Sequence, residues 1–357
     1  MQIPESTHLS TRRLNSVFDN TVATYKYYWF LGILDLFVKK GQTRIKVWDI
    51  MISMVVNAWY PVNYFRLSFG KSESLYQAIL SLQKEHNLPI NLSGEELTLQ
   101  LNEIKPKIKK EIDFLNKNVP YRFLRPWIDT SDDREMVRRS LTLENDCLYK
   151  LIKEKGEFWI ELNEHWLSYL QENYCVLRDF TLWNLSLFLQ TRNPNVPNIP
   201  NKIIKSETRN SLNEQRKFWN TVITAGNTVK CIYTDQTLTI KHFDLDHFIP
   251  WSFVSHDLLW NLMPADPSIN SSKNNKLPNL NEYLPKLAEA HQSALRTFLS
   301  LNKKSKLLED YLSLGCSAEE LVTMDREHLY DCFNQTFSPL NQIAMNMGFE
   351  RWNYINK

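Results

Sequence analysis

Between Asp244 and Phe253 the chain reads DLDHFIPWSF, which puts two carboxylates and an imidazole into four consecutive positions before a proline. Those side-chain types suit phosphodiester hydrolysis. A water must lose a proton to a base, the charge developing on the phosphate must be offset, and the leaving oxygen must be helped away. His247 is of the right type for the first task, and a hard cation for the other two. Magnesium takes oxygen ligands and keeps several waters, so one carboxylate and one amide oxygen suffice when a substrate phosphate completes the shell. Asp246 and Asn270 offer those two groups. A carboxylate and a histidine at a strand end also form ordinary ion pairs, so residue types alone leave both readings open.

Spacing says how such groups would be carried. From Val229 to Leu245 β-branched and aromatic residues dominate, and TDQT in the middle predicts a turn between two short strands. In extended geometry His242, Asp244 and Asp246 face one way and Phe243, Leu245 and His247 the other. After Pro250 come a loop, a short apolar strand within LLWNLMPA, and a helix start at DPSIN. There Asp266 fits the N-cap and Pro267 the first helical position. The local order is strand, strand, helix, and Asn270 and Lys273 share a face of that helix.

The remainder reads as helical. Up to about Gln190 helices alternate with short polar loops, with a capping box at Ser93–Glu96 and a second candidate at Thr130–Asp133. The apolar runs 25–38 and 47–65 are interrupted by Asp35 and by Asp49, Asn57 and Pro61, so they predict buried core helices rather than membrane spans. Their Tyr and Trp residues are expected in the core. The run KPKIKKEIDFLNKN is read as the solvated face of an amphipathic helix. RNPNVPNIPNK, with three prolines, marks a boundary that no helix passes, and a basic helix follows it. Beyond Pro278, Leu284, Leu287, Ala288, His291, Ala294, Leu295, Phe298 and Leu299 recur at helical spacing, which makes His291 a core histidine. Gly315 ends a later helix and Ser317–Glu320 caps another.

Composition bounds the reading. A chain of 357 residues is long enough for two or three domains. A net charge of +2 neither supports nor excludes a polyanionic partner, because what matters is clustering. The five cysteines are scattered and never spaced C-x-x-C, which argues against a disulfide framework and a zinc ribbon and fits a reducing cytoplasm. Met1–Ser10 carries no secretion-signal pattern.

The stretch DLDHFIPWSFVSHDLLWNLMPADPSINSSKNNKLP resembles the HNH, or ββα-metal, endonuclease family, and most closely the HNH domain of RNA-guided CRISPR nucleases. Asn261, Asn270 and Lys273 follow His247 at that domain's intervals, and the resemblance runs from Val229 to Pro278. It implies that Asp246 is the first metal ligand, His247 the general base and Asn270 the second metal ligand. It further implies that Asn261 braces the loop and orients the histidine, and that Lys273 faces the phosphate. Asp244 is left open between a supporting partner and a solvated residue, and His242 and His256 are read as surface residues. Asn274 or Asn275 could replace Asn270 if the helix register shifts. Many members carry two C-x-x-C pairs around this motif. Here Thr234 stands where the second cysteine would be, so no structural zinc is expected and the metal would be Mg2+ or Mn2+.

The expected fold class is α+β, mostly α. Residues 1–190 form a helical domain for substrate or partner binding, 191–227 a linker and basic helix, 228–282 the HNH nuclease module and 283–357 a helical C-terminal extension. The expected activity is metal-dependent endonuclease action on DNA, with RNA not excluded and no membrane involved. A partner protein or homodimer would use the helical domain. By analogy the setting is a stand-alone bacterial nuclease of restriction or phage defence. The competing readings are a non-catalytic nucleic-acid-binding protein with an HNH fold, and an HNH toxin or homing nuclease.

Overall fold

The computed structural model describes residues 2–70, 73–204, 211–240 and 242–354. It is mostly helical with small sheets and divides into two units, Met1–Pro194 with Ile199–Lys205, and Asn195–Asn198 with Ser206–Lys357. Among the described residues no helix is long and apolar enough to cross a membrane.

In the N-terminal unit the elements used below are α1 (Tyr25–Leu34), β1 (Arg44–Lys46), α2 (Val47–Asn63), α3 (Ser74–Glu85), β2 (Tyr149–Glu154), β3 (Glu157–Leu162) and α4 (Tyr174–Arg192). The aromatic residues of α1 and α2 are core: Tyr28, Trp29, Phe30 and Trp59 are sealed from solvent. Gly32 lets the two helices approach, since a β-carbon there would lie 3.0 Å from Ile50 Cγ2. The cap expected at Thr130–Asp133 is made by Asp132, whose carboxylate accepts from Arg134 N and Glu135 N.

The half read as a helical domain also holds an antiparallel sheet in the order β1-β3-β2. YKLIKE and EFWIEL alternate, burying Leu151 and Ile160 and leaving Lys150 and Glu161 to pair at 2.8 Å on the outer face. Lys155 and Gly156 between them both have positive φ, as a two-residue hairpin turn that follows strand twist requires. The signal was missed because dense Lys and Glu around the turn also suit a solvated helix.

In the C-terminal unit the elements are α5 (Asn213–Thr224), β4 (Asp244–His247), β5 (Leu262–Ala265), α6 (Pro267–Lys273), α7 (Leu280–Ser300) and α8 (Arg326–Asn346). The hairpin expected before β4 is reduced to a few contacts, with Cys231 N donating to Gln236 O and Leu238 N to Val229 O. β4 and β5 pair antiparallel, with Asp246 opposite Met263 and His247 opposite Leu262.

The C-terminal helices share one core with these strands. Phe248 and Trp260 pack against Phe337 of α8 at 5.3 and 5.1 Å between ring centroids. Tyr233 lies 5.0 Å from both Tyr283 of α7 and Trp352. Aromatic area from both segments is therefore buried in the same core.

Candidate active site

β4 delivers Asp246 and His247 from adjacent positions, and their surroundings differ. Asp246 is 3% exposed and both its oxygens are engaged: Oδ2 accepts from the Tyr233 O–H at 2.7 Å and Oδ1 from Lys273 Nζ at 2.9 Å. Lys273, the last residue of α6, is 0% exposed and also donates to the His247 carbonyl at 2.7 Å. Tyr233 remains a donor because burial, and then the Asp246 carboxylate, raise its pKa well above the ordinary phenol value. Two buried charges are tolerable only when paired and hydrogen-bonded, and here they are both.

His247 is only partly buried, and its Nε2 lies 2.8 Å from Asp257 Oδ1. An ionised carboxylate only accepts, so Nε2 carries the proton and Nδ1 keeps its lone pair in the neutral ring. Such a ring can take a proton at Nδ1.

Asn261 closes the turn after His247. Its side chain accepts from Ile249 N and donates to Ile249 O, both at 2.9 Å, while its own carbonyl accepts from Phe248 N at 2.8 Å. The amide thus stands in for one more strand rung and holds the backbone rigid where the imidazole departs.

Asn270 lies in α6, which Asp266 caps through Ser268 N and Ile269 N with Pro267 in its first turn. Among the described residues the Asn270 side-chain amide has no hydrogen-bond partner. Asn275, by contrast, accepts from Ser252 Oγ at 3.0 Å, and Asn274 lies past the helix end with φ of 45°. Of the three asparagines, Asn270 is the one on the helix with a disengaged amide.

Lys273 departs from the expectation that it faces a phosphate. Sharing a helix face with Asn270 did not decide its direction, because α6 ends against β4 and turns the ammonium inward. Asp244 is about half exposed, with Arg216 3.9 Å away, while that guanidinium donates to Phe243 O and lies over the Phe243 ring. His242 is exposed, and His256 is half-buried against Trp260. Asp257 and Tyr233 were not singled out in the sequence, since nothing in local spacing ties them to His247 and Asp246.

Residues 231–279 match the HNH endonuclease family model. This HNH segment holds Asp246, His247, Asp257, Asn261, Asn270 and Lys273, and the match suggests nuclease activity on nucleic acid. No curated protein matches the chain, and no solved structure matches it.

HNH nucleases generally use a divalent metal ion, so the fit of the HNH segment to one matters. Among the described residues no group of three or more His, Cys, Asp and Glu side chains could hold a metal. The Asp246 carboxylate and Asn270 amide are hard oxygen donors, and each Asp246 oxygen keeps one further lone pair. Their chemistry fits a hard divalent cation supplemented by water and substrate, with the Lys273 ammonium as the competing cation on Asp246.

Proposed function

We propose that the HNH segment is a metal-dependent endonuclease that hydrolyses phosphodiester bonds of DNA. His247 is the general base, Asp246 and Asn270 are the residues that would hold Mg2+ or Mn2+, and Asn261 fixes the loop carrying the base. The observation that supports this best is the His247–Asp257 hydrogen bond, which leaves Nδ1 basic one residue away from a buried carboxylate. Nδ1 takes the proton of the attacking water, and Asp257 stabilises the imidazolium that results. A cation bound at Asp246 and Asn270 would offset charge on the phosphate and on the leaving oxygen. By the resemblance of this stretch to CRISPR-type HNH domains, the proposal extends to a bacterial restriction or phage-defence setting in the cytoplasm.

A second reading is favoured by one observation, that Lys273 and Tyr233 already engage both Asp246 oxygens. In it the HNH fold binds nucleic acid without cutting. Plasmid, single-stranded DNA and RNA incubated with Mg2+, Mn2+ or EDTA separate the two. The nuclease reading expects metal-dependent cutting of DNA that falls by about a hundredfold to ten-thousandfold in His247→Ala, the range for a lost general base. Binding without cutting by the wild type, or cutting that His247→Ala leaves unchanged, overturns it.

A further inference from the structure

Segments distant in sequence line a cavity of about 730 Å3 within the N-terminal unit: the loop 19–23, the start of α1, Phe114 with Leu115, and residues of the stretch from Asn118 to Pro126. That volume is within the roughly 300–1,000 Å3 usual for small-molecule sites.

The cavity wall is unbalanced in charge. Lys26, Arg122 and Arg125 line it against a single acid, Asp19. Both guanidiniums are exposed, and among the described residues neither has a hydrogen-bond or ion-pair partner. Lys26 donates to Val17 O at 2.9 Å, and its pKa is lowered by burial first, then by Arg125, with Asp19 opposing. Three cations held together without matching acids form a site for an anion, and the planar guanidinium fork suits phosphate oxygens.

The other part of the wall is apolar. Val22 is 80% exposed and Phe114 49% exposed, while Leu115 and Val119 behind them are buried. The side-chain amides of Asn20 and Asn118 supply donors and acceptors. Inorganic phosphate would use only the cations. A ligand that also carries a flat ring covers the apolar side as well, because a base stacks on an aromatic side chain such as Phe114.

We propose that this cavity binds a free nucleotide, with its phosphates on Arg122, Arg125 and Lys26 and its base against Phe114 and Val22. The proposal is independent of the nuclease reading. Binding of the four ribonucleoside triphosphates and their monophosphates to the full chain in EDTA, measured by calorimetry, tests it. Adenosine, inorganic phosphate and a single-stranded oligonucleotide run in parallel. At least one nucleotide is expected to bind about tenfold or more tighter than adenosine and phosphate. Arg122→Ala with Arg125→Ala should weaken that nucleotide by about tenfold and leave adenosine unchanged, whereas Phe114→Ala weakens both. All three side chains reach solvent, and an unchanged melting temperature verifies folding. The proposal is overturned if no nucleotide exceeds phosphate, if the double variant binds as wild type does, or if the oligonucleotide competes through the same arginines with equal affinity. Because the readout is binding without metal, none of these outcomes touches the nuclease assignment.

Discussion

Glu73 in the N-terminal unit and Asp246 in the C-terminal unit are both almost sealed from solvent, yet different groups meet them. Glu73 Oε1 accepts from the backbone N–H of Thr24 at 2.9 Å and from the Thr24 hydroxyl, and Oε2 has no partner among the described residues. Burial drives its pKa up to about 7, against the Thr24 hydrogen bonds and Arg192, which lower it. Asp246 has an ammonium on one oxygen and a phenol on the other. Depth is similar and neighbours are not. Dipoles without a contacting cation leave a buried carboxyl that binds a proton near neutrality, whereas a buried Asp–Lys pair presents two charges that each depend on the other.

The sharpest way to break this comparison is to remove the cation. Lys273→Met leaves Asp246 as an uncompensated buried carboxylate, and breaking such pairs typically destabilises by about 3–5 kcal/mol. Urea unfolding followed by hydrogen exchange in the C-terminal unit should register that loss. Added Mg2+ should recover part of it, because a second cation becomes available to the same oxygen. A neutral Lys273→Met variant would mean that the pair does not hold the site. A loss that Mg2+ leaves unchanged would speak against Asp246 as a metal ligand.

How much of this was legible before the fold depended on distance along the chain. Asp246, His247, Asn261, Asn270 and Lys273 fall within 28 positions, where strand alternation and one helix cap restrict the geometry strongly. The inward turn of Lys273 was not legible, since helical spacing fixes a face but not what that face meets. Tyr233 reaches Asp246 through the hairpin's closure, and Asp257 reaches His247 through a loop in which Ser255 adopts a left-handed φ of 53°. Neither relation has a periodic signature. The joining of residues 283–357 to the core of the HNH segment was equally hidden, because apolar spacing along α7 and α8 marks a buried face without naming its partner.

The next largest effect is a difference in pH response. Glu73 has a folded pKa of about 7 against an ordinary 4.5, so the folded N-terminal unit holds more protons and loses stability as pH rises from 4.5 to 7. At about 1.4 kcal/mol per pKa unit the loss approaches about 3 kcal/mol. His291 runs the other way. Fully buried beside Tyr311, with Nδ1 2.7 Å from that hydroxyl, it is pushed by burial from 6.5 to about 3. The unfolded chain then binds more protons, and the C-terminal unit gains stability as pH rises from 3 to 6.5. Hydrogen exchange between pH 4.5 and 6.5 should therefore show slopes of opposite sign in the two units. Glu73→Gln should flatten the first and His291→Phe the second. Lys202, whose ammonium burial lowers to about 7, adds a rise in the N-terminal unit only above pH 7, outside that window. Parallel slopes, or slopes that survive the substitutions, would assign the pH response to other groups.

The smallest effect tests whether pairing in the C-terminal unit reaches the chemistry. In Asp257→Asn the amide can turn its NH2 toward His247 Nε2, which favours the tautomer with the proton on Nδ1 and removes the basic nitrogen from its place. Stability should change little, because Asp257 is partly exposed. Positioning partners of this kind are worth about 10–100-fold, so kcat should fall by about tenfold, or about 1.4 kcal/mol, with KM nearly unchanged. Nitrogen-15 NMR of the imidazole gives a readout that packing alone would not move: the Nε2–H form in the wild type and the Nδ1–H form in Asp257→Asn. Asp257→Glu should restore the first form wherever the longer carboxylate reaches. If the tautomer changes and the rate does not, Asp257 orients the ring without bearing on proton transfer. If neither changes, the 2.8 Å contact is an ordinary ion pair at a strand end, and the comparison between the units stops at Asp246 and Lys273.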